Sequence, residues 1–415
     1  MRKMKDSGIE WIGKIPEEWN VVANKQLMKK VKCIKEKYNG EDVLSLTMNG
    51  VIVRDLANPS GKMPATFDGY QFVEAGNLLM CLFDIDVTPR CIGLIKNDGV
   101  CSPAYSQFRL SNVADVRFYY YYYLNLDNTK ELLHLAKNLR HSLTEEQLGA
   151  IPTVLPPLDE QRRICRVLDK KTCDADTLIA NVQAQIEKLK AYKQSVVREA
   201  VTKGLKPHAP MKESGIEWIG QIPCDWKVLA SKWLMRKTKT IQEKYSGESV
   251  LSLTTKGVIT RDLDNPSGKM PATFDGYQFV EAGNLLMCLF DIDVTPRCIG
   301  LIKNDGVCSP AYSQFKLNGL ADAEYYYYYY LSLDYTKELL HLAKNLRHSL
   351  TEEQFGAIPT VLPPMETQKE IAAYLNKKCA EIDRVLEIKQ AKIEKLEQYK
   401  RSLIYEYVTG KKEVS

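Results

Sequence analysis

Hydrophobic positions follow two patterns along the chain, and the two patterns alternate. Residues 1–156 mix short apolar runs, such as VLSLT and LLMCLF, with Gly, Pro, Asn and Asp, which is typical of short strands joined by turns. Residues 157–203 instead carry apolar side chains at alternating steps of three and four, with no glycine inside. That spacing predicts a long amphipathic helix. Both patterns then recur, in residues 212–363 and 364–410.

The two helical segments carry the apolar seam of a coiled coil, interrupted by a few polar residues such as Lys193, Lys389 and Lys400. We expect the two helices to pair with each other, and packing of each helix on its own globule is the alternative. The predicted seam consists of Leu168, Ile179, Val182, Ile186, Leu189 and Val196 in the first helix, and Leu375, Ile382, Leu386, Ile393, Leu396 and Leu403 in the second.

The alternation arises because the chain contains one unit twice. KDSGIEWIGKIP at residues 5–16 returns as KESGIEWIGQIP at residues 212–223, 207 positions later. Residues 58–108 are repeated letter for letter at 265–315. A period this long indicates a duplicated domain rather than a solenoid. The predicted fold class is α+β: two similar α/β globules, joined through a linker at 204–211 and separated by two long helices that form an antiparallel, pseudo-two-fold coiled coil.

Composition excludes several classes of protein. The 415 residues are 45% hydrophobic and 26% charged, as in ordinary globular domains. Neither a signal peptide nor an apolar stretch long enough to cross a membrane is evident, so we expect a cytoplasmic protein. The eleven cysteines form no C-x-x-C pair and accompany only five histidines, which predicts reduced thiols and no metal site. The net charge of +5 suits a nucleic-acid partner only weakly.

The motifs resemble a known family. A globule opening with the motif SGIEWIGxIP, then the motif LPPxxxQ, then a long helix, all present twice in register, is similar to the DNA-specificity subunit of Type I restriction–modification systems. The second copy departs from the family at Thr367, where the first copy has the usual acidic residue, Glu160. This departure concerns only the local cap of the second long helix.

The resemblance implies a function and a set of partners. Two target-recognition globules would each read half of a split site in double-stranded DNA, and the paired helices would recruit two modification (methyltransferase) subunits. The resemblance places S-adenosylmethionine and ATP on partner subunits, the ATP on restriction subunits where these join. This chain has no phosphate-binding loop and no catalytic constellation, so we expect no cofactor and no catalysis here. The alternative is a coiled-coil scaffold whose globules bind protein.

Base reading requires Arg, Lys, Asn or Gln with small polar groups on a protruding loop. The segment DLANPSGKMPATFDGYQF has this chemistry, and a plain structural loop is the alternative. Arg54 and Arg261 are candidates for phosphate contacts. Tyr105 and Gln107 lie in CSPAYSQF, where the family often has a similar Ser-Pro-x-Tyr phrase. We interpret this segment first as fold-defining, with base contact as the alternative. The candidate DNA-binding residues are Arg54, Ser60, Lys62, Thr66, Tyr70, Gln71, Arg90, Tyr105, Gln107 and Arg140 in the first copy, and Arg261, Ser267, Lys269, Thr273, Tyr277, Gln278, Arg297, Tyr312, Gln314 and Arg347 in the second.

Runs of five and six tyrosines, at 119–123 and 325–330, offer stacking surfaces for bases. So many consecutive side chains cannot all face one ligand on a helix or a strand, and we interpret most of them as packing residues. Because the candidate reading segments of the two copies are identical, both globules should prefer the same half-site. Under the expected two-fold arrangement, the target is an inverted repeat with an unread spacer.

Overall fold

The computed structural model describes residues 2–59, 61, 63–136, 141–266, 268, 270–343 and 348–414. The chain forms two compact units. The first comprises Met1–Gln183 and Ala391–Ser415, and the second comprises Ala184–Gln390. Each unit therefore holds one globule together with a section of both long helices, and each is described by itself.

The globule of the first unit consists of short antiparallel strands and three helices. The strands are β1 (Met4–Asp6), β2 (Lys14–Pro16), β3 (Asn20–Ala23), β4 (Met28–Val31), β5 (Leu44–Thr47), β6 (Gly50–Val53), β7 (Gln71–Val73), β8 (Leu78–Met80), β9 (Ile92–Leu94), β10 (Gly99–Cys101), β11 (Ser106–Leu110) and β12 (Pro152–Leu155). The helices are α1 (Val116–Asn128), α2 (Glu131–Leu135) and α3 (Glu145–Ala150).

The centre of this globule is a four-stranded antiparallel sheet in the order β4-β11-β8-β9. The hairpin formed by β5 and β6 packs closely against β9. Gly93 permits that approach, because a Cβ atom there would lie only 2.6 Å from Val51 Cγ2 and 2.7 Å from Leu46 Cδ1. The hairpin tip is thereby held at the surface of the globule.

The tyrosine run lies on α1 and is packed. Tyr119, Tyr121, Tyr122 and Tyr123 are buried, and Tyr120 is half-buried. Edge-to-face ring pairs connect several of them. The hydroxyls of Tyr119, Tyr121 and Tyr123 have internal partners, as when the Tyr119 hydroxyl donates to the Val154 carbonyl at 2.9 Å. The packing interpretation of the tyrosines is confirmed.

After α4 (Leu158–Lys203), the second unit repeats this plan and ends in α8 (Met365–Val408). Its strands are β13 (Met211–Glu213), β14 (Gln221–Pro223), β15 (Lys227–Ala230), β16 (Met235–Thr238), β17 (Thr240–Ile241), β18 (Leu251–Thr254), β19 (Gly257–Thr260), β20 (Gln278–Val280), β21 (Leu285–Met287), β22 (Ile299–Leu301), β23 (Gly306–Cys308), β24 (Ser313–Leu317) and β25 (Pro359–Leu362). Its helices are α5 (Ala323–Tyr335), α6 (Glu338–Leu342) and α7 (Glu352–Gly356). The predicted mixture of strands, short helices and two long helices is confirmed.

The long helices pair with each other inside each unit. In the first unit, Lys400 of α8 contacts the carboxylate of Asp176 of α4 at 2.6 Å. In the second unit, Lys193 of α4 contacts Asp383 of α8 at 2.6 Å, and Lys389 donates to Gln185 Oε1 at 2.6 Å. As the residue number rises along α4 from 185 to 193, the number of the contacting residue on α8 falls from 389 to 383. The two helices therefore run antiparallel. The lysines that interrupt the apolar seam therefore make polar contacts across it.

The predicted seam residues are all buried or half-buried, but they serve two purposes. Those near the middle of each helix, such as Val182, Ile186 and Ile393, face the helix pair. Leu168 and Leu403 instead join the core of the first globule, while Val196 and Leu375 pack into the core of the second. The ends of the helices are thus parts of globular cores.

Each core is completed by residues from the other copy of the repeat. The core of the first globule contains Leu403, Ile404, Tyr407 and Val408 from the end of α8. The core of the second contains the corresponding residues Val197, Ala200 and Val201 from the end of α4, with half-buried Val196 packed against it. Pairing of the helices and packing on a globule, which the sequence presents as alternatives, therefore occur together.

The glutamine of the LPPxxxQ motif fixes the start of each long helix. Gln161 is fully buried; its side chain accepts from the Asp115 amide at 2.7 Å and donates to the carbonyls of Val113 and Pro156 at 3.0 and 2.8 Å. Gln368 makes the equivalent three bonds in the second copy. All polar groups of this buried side chain are hydrogen-bonded. The glutamine therefore holds the start of the long helix against the loop that precedes α1.

The acidic residue before that glutamine differs between the copies for a structural reason. Glu160 accepts bonds from Arg2 at 2.6 and 2.8 Å and from the Trp19 indole at 2.9 Å. These bonds raise the pKa of Arg2 further above its ordinary value, chiefly through Glu160. The second copy has Ala209 in place of Arg2 and Thr367 in place of Glu160. Both partners are absent together, and α8 still forms from Met365.

The cysteines are free thiols in the described part of the chain. Burial raises the pKa of both Cys101 and Cys308 to about 12, which keeps them protonated. Within the same residues, no group of His, Cys, Asp and Glu is arranged to hold a metal ion. None of the described helices combines the length and apolar character needed to span a bilayer.

Candidate DNA interface

Three surface segments lie together on each globule, and we call them the loop face. In the first globule they are the tip of the β5–β6 hairpin at residues 46–48, the loop at residues 54–70 and the loop at residues 83–90. The hairpin tip and the last loop line one cavity together with Tyr105. Arg54 reaches the middle loop, since a Cβ atom at Gly61 would lie 3.9 Å from its Nη2. The second globule has the same segments at 253–255, 261–277 and 290–297.

The loop at residues 54–70 is shaped by its own side chains. Asp55 accepts from the backbone amides of Ala57 and Asn58 at 2.9 and 3.1 Å, which is an Asx-type turn. The Asn58 side chain and these amides hold the pKa of Asp55 below its ordinary value. Asp262 forms the same turn with Asp264 and Asn265. The carboxylate is therefore an element of loop structure.

Thr66 and Tyr70 have surface available for contact. Thr66 is exposed, and its hydroxyl accepts from the Asp68 amide at 3.1 Å. The half-buried Tyr70 ring packs edge-to-face on Phe67 with 5.3 Å between ring centroids. Thr273 and Tyr277 repeat both arrangements. These four residues remain candidates for reading bases.

Six of the predicted contact residues lie outside the described residues: Ser60, Lys62, Arg140, Ser267, Lys269 and Arg347. The histidine after Arg140 is described. His141 has a φ of 44° and its Nδ1 lies 3.1 Å from Asp86 Oδ2. A capping box begins α3 next to this histidine, with the Thr144 hydroxyl accepting from the Gln147 amide.

The four candidate glutamines are buried inside the globules. This corrects the base-reading prediction for Gln71 and Gln278 and agrees with the fold-defining interpretation of the segment that contains Gln107. Gln71 is 2% exposed and donates to the carbonyls of Ser102 and Tyr105 at 3.0 and 2.7 Å. Gln107 is 1% exposed and accepts from the Glu74 amide at 2.6 Å. Gln278 and Gln314 make the same contacts in the second copy. These bonds connect the four side chains to the backbone of neighbouring loops.

Arg90 and Arg297 connect the loop face to the tyrosine helices. Arg297 donates to the carbonyls of Ile299 and Thr255 at 3.0 and 2.9 Å, and it also bonds to the Tyr327 hydroxyl. Arg90 bonds to the corresponding Tyr120. Burial raises the pKa of both tyrosines, partly opposed by the neighbouring guanidinium charge. These arginines hold the hairpin tip in place and keep a partly exposed positive charge at the surface.

The cavity of the loop face has a volume of about 300 Å³ in the first globule. Apolar side chains from Leu46, Met48, Phe83 and Val87 form much of its wall. Tyr105 lies on the wall, and burial raises its pKa, so the hydroxyl stays protonated as a hydrogen-bond donor. In the second globule the equivalent Tyr312 stacks on Phe290. The face combines donors with apolar surface, as major-groove reading of thymine methyl groups requires.

Arg54 and Arg261 lie at the ends of the hairpins, partly exposed. The backbone amide of Arg54 donates to the Val43 carbonyl at 2.8 Å, and Arg261 does the same to Val250. Both side chains have interaction partners within the protein. Their position beside the middle loop suits a phosphate contact, which stays a prediction.

Sequence reasoning missed a second, basic surface. A groove of about 350 Å³ runs along β4 and β11 and is lined by Lys25, Lys29, Lys30 and Arg109 among others. The signal was present as the run KQLMKKVK, repeated as KWLMRKTK. It resembled an ordinary charged surface segment, and only the strand pairing shows which of its side chains share a face with Arg109.

Comparison with known proteins agrees with this architecture. The family model of the Type I restriction modification DNA specificity domain matches residues 297–398. Two curated proteins of Methanocaldococcus jannaschii are similar. The putative type I restriction enzyme MjaX specificity subunit is 28% identical over 283 residues, which cover 65% of this chain and 61% of that protein. The type I restriction enzyme MjaVIII specificity subunit is 27% identical over 281 residues, covering 62% and 61%. The matched region thus spans less than two thirds of either relative.

A solved structure shares the fold. A chain from a type I R-M system, studied for its complex assembly and conformational transition, superposes with a TM-score of 0.69 at 13% identity, covering 95% of this chain and 98% of that one. The repeated motifs, the matching domain and the named relatives lead to one assignment. The chain is similar to Type I restriction–modification DNA specificity subunits, and its residues 297–398 match the DNA specificity domain of that family.

Proposed function

We propose that this chain is the sequence-reading subunit of a Type I restriction–modification complex. The observation that carries the proposal is the match of residues 297–398 to a DNA specificity domain, in a chain where the same loop face is present twice. Each loop face would enter the major groove of one half-site. Thr66, Tyr70 and Tyr105, with Thr273, Tyr277 and Tyr312, supply donors and acceptors there, and Arg54 and Arg261 contact phosphates.

The target proposed for this chain is an inverted repeat with an unread spacer. Residues 58–108 and 265–315 are identical, so the two loop faces offer nearly the same chemistry to DNA. Identical readers prefer identical half-sites. A selection experiment identifies which base sequence the two loop faces prefer.

The paired helices are proposed to recruit two modification subunits that bind S-adenosylmethionine and methylate adenine, with ATP-dependent restriction subunits joining for cleavage. Exposed apolar side chains at equivalent positions support this role. Leu178 and Tyr399 are 48% and 51% exposed in the first unit, and Val385 and Tyr192 are 40% and 50% exposed in the second. Partner interfaces are enriched in such aromatic and apolar residues. This chain would act without catalysis of its own.

A selection from random DNA tests the reading function directly. The purified full chain, alone and with its modification subunit, is incubated with a pool of random duplexes, and the bound duplexes are sequenced. The proposal expects enrichment of one short motif in inverted orientation. The alternative function, a coiled-coil scaffold whose globules bind protein, expects no enriched sequence in either sample. Finding none would overturn the proposal.

A further inference from the structure

The basic groove beside β4 places two positive charges opposite each other on neighbouring strands, an arrangement that lowers the stability of a sheet. Lys29 of β4 lies directly opposite Arg109 of β11 in the register of the sheet, and both side chains are exposed. In the second globule, Arg236 lies opposite Lys316 in the same way. Like charges directly opposite on neighbouring strands are destabilising. Both globules nevertheless have the arrangement.

Part of this charge is neutralised within the protein and part is available. Arg109 pairs with Glu74, and Lys316 with Glu281. Lys30 lies 3.6 Å from Glu145. By contrast, Lys29 and Lys32, and Arg236 and Lys239 in the second globule, form no ion pair among the described residues. All four of these side chains are exposed, so each globule presents at least two uncompensated cations along one edge strand.

Comparing the two copies shows that the charge of this surface is kept while its residues change. Five basic positions form what we call the basic strip. The strip consists of Lys25, Lys29, Lys30, Lys32 and Arg109 in the first copy, and of Lys232, Arg236, Lys237, Lys239 and Lys316 in the second. Positions 29/236 and 109/316 exchange Lys and Arg, and all five positions are positive in both copies.

Basic residues elsewhere in the drifted parts are kept at some positions, such as Lys37 and Lys244, and lost at others. Lys14, Lys35 and Lys190 correspond to Gln221, Gln242 and Glu397, and Arg117 corresponds to Glu324. A solvated surface tolerates such losses, since surface substitutions usually change stability little. In the basic strip all five positions keep their charge, two of them through an exchange of Lys and Arg, which supports a function for positive charge at that place.

We propose that the basic strip of each globule binds the phosphate backbone of the DNA, next to the bases that the loop face reads. This inference rests on the proposed function and adds a contact surface to it. DNA fits better than an acidic protein as the occupant. Lysine is depleted at protein–protein interfaces, whereas protein–DNA interfaces are strongly positive. The strip would fix the position of each globule on the duplex without selecting bases.

A charge-matched pair of variants tests the strip in the full chain. The strip variant carries Lys29→Gln, Lys32→Gln, Arg236→Gln and Lys239→Gln. The control carries Lys170→Gln, Lys188→Gln, Lys377→Gln and Lys395→Gln, which remove the same charge from exposed positions on the long helices. All eight side chains are exposed, so both variants should fold, and thermal unfolding checks this.

The measurement is the dissociation constant for the duplex selected by the wild-type chain, taken over a series of salt concentrations. The inference expects the slope of log K against log salt to become shallower in the strip variant by up to about 0.9 for each phosphate that is no longer neutralised. The helix control should keep the wild-type slope, and the strip variant should still select the wild-type sequence.

The outcomes separate this inference from the proposed function. A strip variant whose slope equals that of the helix control overturns the strip, even where the wild-type chain selects a sequence. A changed base preference in the strip variant also overturns it, because phosphate contacts carry no base information. A wild-type chain without any sequence preference contradicts the proposed function, and the salt slopes then still report whether the strip binds DNA.

Discussion

The two copies of the repeat are far more similar in the loop-bearing part of the globules than in the long helices. Residues 58–108 are identical to 265–315, including fully surface-exposed positions such as Val87 and Val294, each 72% exposed. The helices have drifted even at buried positions, where Ala175 corresponds to Ile382 and Val182 to Lys389. Packing alone tolerates drift of the exposed positions more readily than of the buried ones. This contrast is expected if the loop face is matched for a surface function, while the helices are constrained by their pairing and by the cores that their ends complete.

What the helices retain is informative in the same way. Lys193–Asp383 and Lys400–Asp176 occupy equivalent positions in the two copies. The residues of α4 and α8 that enter the globular cores are also equivalent, for example Val197 and Ile404. The helices are therefore constrained at their ends and at two cross-helix pairs, and are free to vary between them.

The largest predicted effect concerns the exchanged helix ends. Ile404→Ala, at the C-terminal end of the chain, removes a side chain that is 1% exposed in the core of the first globule. We expect a loss of about 2–5 kcal/mol in the free energy of unfolding of that globule. Hydrogen exchange checks this, with faster exchange in residues of β3, β12 and α1 expected.

The matched control is Val385→Ala on the same helix, at a position that is 40% exposed. It should leave exchange in the first globule unchanged. If Ile404→Ala accelerates exchange only within α8, the helix end does not support the first core and this part of the comparison is wrong.

The next effect tests a contact that only the first copy has. Glu160→Ala removes the acceptor for Arg2 and for the Trp19 indole. Hydrogen bonds to charged groups contribute about 1.5–3 kcal/mol, so the first globule should lose stability in that range. Calorimetric unfolding measures it. Thr367→Ala at the equivalent position should have little effect, and equal losses from both variants would refute the assigned role of Glu160.

The match between the two loop faces can be removed on one side. Thr66→Val with Tyr70→Phe in the first copy removes two hydroxyl groups while keeping side-chain shape. We expect one half of the selected motif to become degenerate, with about 1–3 kcal/mol less discrimination at the affected base pair. The mirrored variant, Thr273→Val with Tyr277→Phe, should do the same to the other half. Selected motifs that stay fully symmetric would remove these residues from the reading set.

The smallest effect is expected at the cross-helix ion pairs. Lys193→Gln and Lys400→Gln each break a partly exposed pair, with lysine side chains 20% and 29% exposed. Such pairs contribute about 0.2–1 kcal/mol. Thermal unfolding at low and high salt measures the change, which should shrink as salt rises. Losses of several kcal/mol that are independent of salt would show that these lysines act through packing instead.

The sequence predicted the elements better than it predicted their partners. The three–four spacing located helices that run from Leu158 to Lys203 and from Met365 to Val408, because amphipathic periodicity is a local property. It did not reveal that the ends of each helix enter a core, since Leu168 and Ile186 look alike in the sequence. Only tertiary packing separates a core residue from a seam residue.

The candidate interface was recognised in part for a related reason. Gln71 and Gln107 have the chemistry that reads adenine, and nothing local shows that their amides bond to the backbone of neighbouring loops. The basic strip, by contrast, was not predicted from the sequence, because Lys29 and Arg109 are far apart in sequence and become neighbours only through strand pairing. Residue type indicates which chemistry is available, and strand register decides which side chains present it together.

The claim on which this account depends is that two equal readers act on one DNA molecule. Sequencing the methylated adenines of a host that expresses this chain with its modification subunit tests the claim most directly. The account predicts that the modified site contains the same short half-site twice, in inverted orientation around a fixed unread spacer. Methylation at a site built from two unlike half-sites would contradict it.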